Sequence, residues 1–195
     1  MFTRSKHIAP GAAILSTAGP ESAQTSTIFD PVGDTKFNAP PFQDIVRVEM
    51  TKTSGGDFEL LMEMAGPVPV NPRMPPPANH EIWWVWVFDL DPATSPQGYP
   101  FGVVSGKQAE FIVYVSWNGT QFAGTAIDRR PLLTGGEAII TPVPFNINGA
   151  IIEANLPFEL IGDVAPGFVW RARTLDWSGR VGSSGYHEVD TAETI

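Results

Sequence analysis

The chain of 195 residues contains no cysteine, which excludes disulfides, thiolate metal sites and cysteine nucleophiles. Charge is sparse, at 17% against about a quarter in an average globular chain, so more of the surface falls to Ser, Thr, Asn, Gly and backbone. Positive charge is scarcer still: 12 Lys plus Arg stand against 21 Asp plus Glu, for a net charge of −9. A surface of that sign repels a phosphate backbone, which speaks against nucleic-acid binding, and it disfavours an anionic membrane surface. No apolar run approaches the ~18 residues of a membrane-spanning helix, so no membrane insertion is expected. Of the three histidines, His7, His80 and His187, none has a ligand partner at i+2 or i+4. Neither a Gly-x-Ser-x-Gly elbow nor a phosphate-cradling glycine loop occurs. These absences lead to the expectation of a binding or assembly module and not an enzyme.

What the chain has in quantity is glycine and proline, 19 of each, residues that interrupt helices and build turns. Between them runs strand-like alternation. Val46, Val48 and Met50 share one face of the segment from Asp44 to Met50, with Arg47 and Glu49 on the other. After the turn Ser54-Gly-Gly-Asp57, the return segment places Phe58, Leu60, Met62 and Met64 on one face and Glu59 and Glu63 opposite. Gly66 to Asn79 carries six Pro and reads as a long irregular loop. Glu81 to Asp89 is apolar on both faces, as a central strand covered on both sides would be. Further strands are expected at Ala109 to Trp117, Gln121 to Asp128, Ala138 to Val143, Ala150 to Leu156 and Phe168 to Leu175, with a short helical turn at Pro157 to Ile161. Asn118-Gly119 and Asn148-Gly149 are hairpin signals. The pattern predicts an all-β, two-sheet antiparallel sandwich of the jelly-roll or immunoglobulin-like kind.

Residues 1–28 read as an extended arm and residues 29–195 as the sandwich. Arg4, Lys6 and His7 before a weak apolar stretch from Ile8 to Ala18 also resemble a signal region, although Pro10, Gly11, Ser16 and Thr17 dilute it. An arm so poor in charge and rich in Ala, Ser and Thr suits strand addition to a neighbouring copy.

The acidic turn Asp30-Pro-Val-Gly-Asp34 is the first candidate site, with Asp44 opening the next strand. Gathered carboxylates and turn carbonyls suit Ca²⁺, a hard ion that takes six to eight oxygens in irregular geometry. Asx turns bonding local amides explain the same residues without an ion. Asp89 and Asp91, two apart at a strand end, fit a cation site, a loop, or a carboxylate pair for glycoside hydrolysis. Six Trp invite a sugar-stacking reading. Trp83, Trp84 and Trp86 belong to the central strand and are expected in the core, which leaves Tyr99, Trp117 and Trp177 as candidates for an exposed platform, with burial as the alternative. Met62 and Met64, with His80 or His187, would offer axial ligands to haem, and gap-filling in the core explains the same methionines. Asn118-Gly-Thr120 matches a glycosylation acceptor, which its hairpin turn also explains.

The succession Asp30-Pro-Val-Gly-Asp34, Asp44-Ile-Val-Arg-Val, an alternating hairpin partner and a strand ending Asp89-Leu-Asp91 resembles the DOMON-like and family 9 carbohydrate-binding-module-like β-sandwiches. Leu156-Pro-Phe-Glu-Leu-Ile-Gly162 is similar to the segment that often follows a strand in those domains. The resemblance covers about residues 29–177; the Pro-rich loop and the arm depart from it. It implies a structural Ca²⁺ held by Asp30, Asp34 and Asp44, with Asp89 and Asp91 as further positions, and an extracellular or cell-surface binding module with carbohydrate as the default ligand. The alternative is a structural subunit of a surface fibre, joined to copies of itself through the N-terminal arm.

Overall fold

In the computed structural model, residues 23–73, 78–90, 109–164, 167–178 and 186–193 are described. They form two antiparallel sheets packed face to face, as the alternation predicts. The five-stranded sheet runs β1 (Gln24–Phe29), β2 (Ile45–Lys52), β3 (Phe58–Met64), β9 (Ile151–Leu156), β8 (Phe145–Asn148). The six-stranded sheet runs β11 (Tyr186–Glu193), β10 (Val169–Ser178), β4 (Ala78–Asp89), β5 (Phe111–Asn118), β6 (Phe122–Asp128), β7 (Ile139–Pro142). The chain lays down β1–β3 in one sheet and β4–β7 in the other. It then returns to add β9 beside β3 and β10 beside β4. Strands distant in sequence are thereby made neighbours.

The core fills the space between the sheets. Val48, Met50, Phe58, Leu60, Met62, Ile152 and Leu156 face inward from one sheet, and Ile82, Trp84, Trp86, Phe88, Val113 and Trp170 from the other, all buried. Trp84 Nε1 donates to the Phe42 carbonyl at 2.9 Å, which satisfies the polar handle of a fully buried indole. A second cluster, Val85, Val87, Ala109, Ile112 and Leu175, lies on the opposite face of the six-stranded sheet, so β4 is buried on both faces. Near Ile45 the β2–β3 register shifts, and this irregularity buries Ile45 fully while Val46 remains half-buried. Gly124 is where β6 meets the β7–β8 corner: a Cβ there would stand 2.5 Å from the Val143 carbonyl oxygen, so only glycine permits the approach.

Four strands differ from the sequence reading. Residues 24–28, assigned to the arm, are part of β1: they pair with β2 in unbroken register from Gln24–Lys52 to Phe29–Arg47, and Ile28 enters the core. The sandwich therefore takes in Gln24. Its alternation was masked because Ser26, not an apolar residue, faces inward, where its hydroxyl accepts from Trp170 Nε1 at 3.2 Å. β8 and β11 lie in stretches to which the sequence reading assigned no strand, and β4 begins at Ala78 inside the Pro-rich segment. The short helix Phe158–Ile161 stands where the helical turn was expected.

Candidate functional site

The acidic turn closes at the end of β1. Gly33 takes φ +87°, which only glycine adopts without strain, and its N–H donates to Asp44 Oδ2 at 2.9 Å. The turn is thereby folded onto the residue that opens β2. A fourth carboxylate joins from β11: Asp190 Oδ2 accepts from the Ile45 N–H at 2.6 Å and its Oδ1 from the Thr191 N–H at 2.8 Å. Carboxylate oxygens of Asp30, Asp34 and Asp190 lie within 4.8 Å of one another. Asp30 and Asp34 are thus brought together with Asp190, which was not foreseen, and Asp44 is tied to the turn by the Gly33 N–H without joining that group of three.

The electrostatics of this corner are those of crowded like charges. Asp30 is pushed up to about 7, first by burial, then by the neighbouring Asp190 and Asp34, by a hydrogen bond with Asp190, and by Asp44. Asp44 and Asp190 are also raised, burial being the main cause for each, against the lowering effect of the backbone N–H groups they accept. Asp30 Oδ2 and Asp44 Oδ1 are buried without a hydrogen-bond donor. Among the described residues none of the four has an ion pair with Lys or Arg. Two stranded oxygens in a group of four acids form a donor set suited to a hard, oxygen-seeking cation.

The other expected ligands do not join it. Asp89 pairs with Val169, whereas Thr174, the β10 residue level with Asp190, pairs with Trp84, five residues back along β4. That separation is roughly 16 Å of strand, so Asp89 belongs to the far end of the sheet. Asp91 lies outside the described residues. Of the aromatic candidates, Tyr99 lies outside them as well, and Trp177 is described only as a backbone position of β10. Trp117 is corrected outright: it is 5% exposed and packs on Phe122 with ring centroids 4.9 Å apart. The Trp117–Phe122 pair closes the β5–β6 hairpin against the core, so it offers no surface platform.

A second polar region escaped sequence reading. The outer face of the five-stranded sheet carries a groove of about 500 Å³ whose lining includes Glu49, Thr51, Glu59, Asn146, Glu153 and Asn155. Register explains the grouping. Glu49 on β2 and Glu153 on β9 flank Leu61 of β3, and Glu59 stands between Thr51 and Asn155 one row away. Arg47 fixes Glu49 and also bonds Glu63 at 2.8 Å, while Asn146 Nδ2 donates to Glu153 at 2.9 Å. Phe145, 38% exposed, forms part of the lining. On the outer face of the other sheet Trp83 and Tyr114 stack at 4.3 Å, also unforeseen.

No family model, curated protein or solved structure matches this chain.

Proposed function

We propose that this chain is a calcium-stabilised β-sandwich binding module, working outside the cell or at its surface, that takes a neutral carbohydrate along the groove over β2, β3 and β9. The observation that carries this reading is the lining of the groove: fixed carboxylates and amides at strand spacing on an open face. Sugar hydroxyls are donors that match carboxylate acceptors, and charge-assisted hydrogen bonds of this kind are about twice as strong as neutral ones. Because Arg47 and Asn146 hold Glu49 and Glu153 in place, little side-chain entropy is lost on binding. Three glutamates in the lining repel uronates and sulfated glycans, so the ligand class is neutral.

The acidic corner supplies the structural cation. An ion held by Asp30, Asp34, Asp44 and Asp190 ties the end of β1 and the start of β2 to β11, strands of opposite sheets. Calcium fits better than magnesium because the donors come from an irregular turn and strand ends, and Mg²⁺ demands a smaller octahedral shell. A glycan array of neutral and anionic oligosaccharides tests the ligand class. Binding confined to neutral glycans and weakened by E153Q is expected; binding that is absent, or that E153Q leaves intact, contradicts the groove assignment.

A further inference from the structure

The four sheet edges of this sandwich are not alike. β7 has only four residues and ends in Pro142, which has no N–H to donate, and β8 is equally short. β11 carries Glu188, Asp190 and Glu193, and its pairing with β10 shifts register beside Leu175. Shortness, proline, charge and bulges are the devices by which sandwiches prevent edge-to-edge pairing. β1 has none of them. Its six residues, Gln-Thr-Ser-Thr-Ile-Phe, include no charge and no proline, and pair with β2 without a bulge. Phe29 is 76% exposed beside this edge. Among the described residues β1 pairs only with β2.

The open side of β1 is also self-complementary. The Asp30 N–H bonds the Val46 carbonyl at 3.0 Å, so Ile28, Ser26 and Gln24 direct their backbone groups to β2. Thr25, Thr27 and Phe29 therefore turn theirs outward. An antiparallel pairing with a second copy, centred on Thr27, sets Thr27 against Thr27 and each Thr25 against the other copy's Phe29. All outward groups find partners, and the side-chain pairs are of the kinds that stabilise sheets. Glu49, the nearest acid on that face, sits one strand in from the edge. Two copies of it are then three strand spacings apart, roughly 14 Å, beyond the Debye length at physiological salt. In the same register Gln24 stands level with the neighbour's Asp30, at the edge of its acidic corner. Residues 1–22 hold Arg4, Lys6 and Glu21, net +1, which leaves −10 on the remainder of a chain of net −9. The charges of the two parts are complementary.

We propose that β1 is a homodimer interface, through which two copies join their five-stranded sheets into one continuous antiparallel sheet about a two-fold axis at Thr27. Such an interface closes on itself and yields a dimer, not a fibre. If the groove binds glycan, the two grooves lie on one face of the joined sheet and bind bivalently; this consequence alone rests on the groove reading.

The absence of cysteine makes the test clean. T27C in the full chain should form a disulfide-linked dimer under mild oxidation, since directly opposed residues in hydrogen-bonded pairs have Cα atoms at about 5.5 Å, inside the disulfide range. V70C, at a site 91% exposed and away from β1, should remain monomeric. Sedimentation equilibrium of the unmodified chain should show a concentration-dependent dimer. T27K should abolish it by opposing two ammonium groups, while Glu49, level with Thr27 on β2, receives the lysine within each folded copy and keeps its melting temperature unchanged. A monomer at every concentration, T27C cross-linking no faster than V70C, or an oligomer that T27K leaves intact would each overturn the proposal. None of these readouts depends on a glycan.

Discussion

Two groups of carboxylates on this sandwich show how spacing decides what an acidic residue does. At the corner, Asp30, Asp34, Asp44 and Asp190 come from a turn, a strand start and a strand of the opposite sheet, and three of them converge within 4.8 Å. In the groove, Glu49, Glu59 and Glu153 belong to three adjacent strands of one sheet. Strand spacing and the pleat keep residues at such positions ~5–10 Å apart on an open face. The corner buries Asp44 and Asp190, half-buries Asp30 and raises it to about 7. In the groove, Glu49 leans on Arg47 and Glu153 on Asn146. Convergence creates a demand for a positive ion, whereas spacing leaves each acid free to accept a hydroxyl.

Calcium should separate the two regions most sharply. A ligand that binds only the folded state adds RT ln(1 + [L]/Kd), about 2.7 kcal/mol at a hundredfold excess over Kd. For a chain of this size that is a rise of roughly 5–10 °C in melting temperature. Scanning calorimetry in calcium and in chelator should show that difference in the unmodified chain and in E153Q alike. D34N, which removes one charge from an exposed corner residue, should shrink it and raise the melting temperature of the cation-free protein by relieving repulsion.

The pH dependence sharpens the contrast further. An unfolded aspartate titrates near 3.9, roughly three units below folded Asp30. Between those values the folded state holds the proton and the unfolded state does not. Stability of the cation-free protein therefore declines as pH rises from about 4 through 7. Thermal melts in chelator across that range should follow this course, and saturating calcium, which binds the ionised form, should remove much of the decline at its upper end.

The smallest effect belongs to the groove. E153Q keeps the shape of the side chain and removes its charge, so glycan affinity should weaken by about fivefold to tenfold, the worth of roughly 1 kcal/mol. Titration calorimetry with whichever neutral oligosaccharide the array selects would measure it.

How much of this was legible in the sequence follows from distance along the chain. The β2–β3 hairpin could be read because its alternation is local and its inward residues are apolar. The turn carrying Asp30 and Asp34, with Asp44 close behind, could be read because a proline and a glycine confine it. Asp190 could not: it reaches the corner only through the pairing of β11 with β10, far along the chain from Asp30. The groove was hidden for the same reason, since nothing local sets Glu153 two strands from Glu49. Trp117 lay open between platform and core because it ends a strand before a turn, and only its register beside Ile82 and Phe122 turns it inward. Those features became visible only when strands far apart in sequence acquired a register.

Cation binding at the corner is tested most directly by a calcium titration by calorimetry near pH 6, repeated in buffers of different ionisation enthalpy. Asp30 is then largely protonated in the folded protein, so an ion that binds the ionised cluster must displace a proton into the buffer. One calcium per chain should bind, with release of close to one proton at pH 6, release falling toward zero by about pH 8, and much weaker binding in D34N. Binding with no proton release at pH 6, or equal binding by D34N, would place the ion elsewhere. No binding at either pH would mean that the four aspartates share protons and hold no metal.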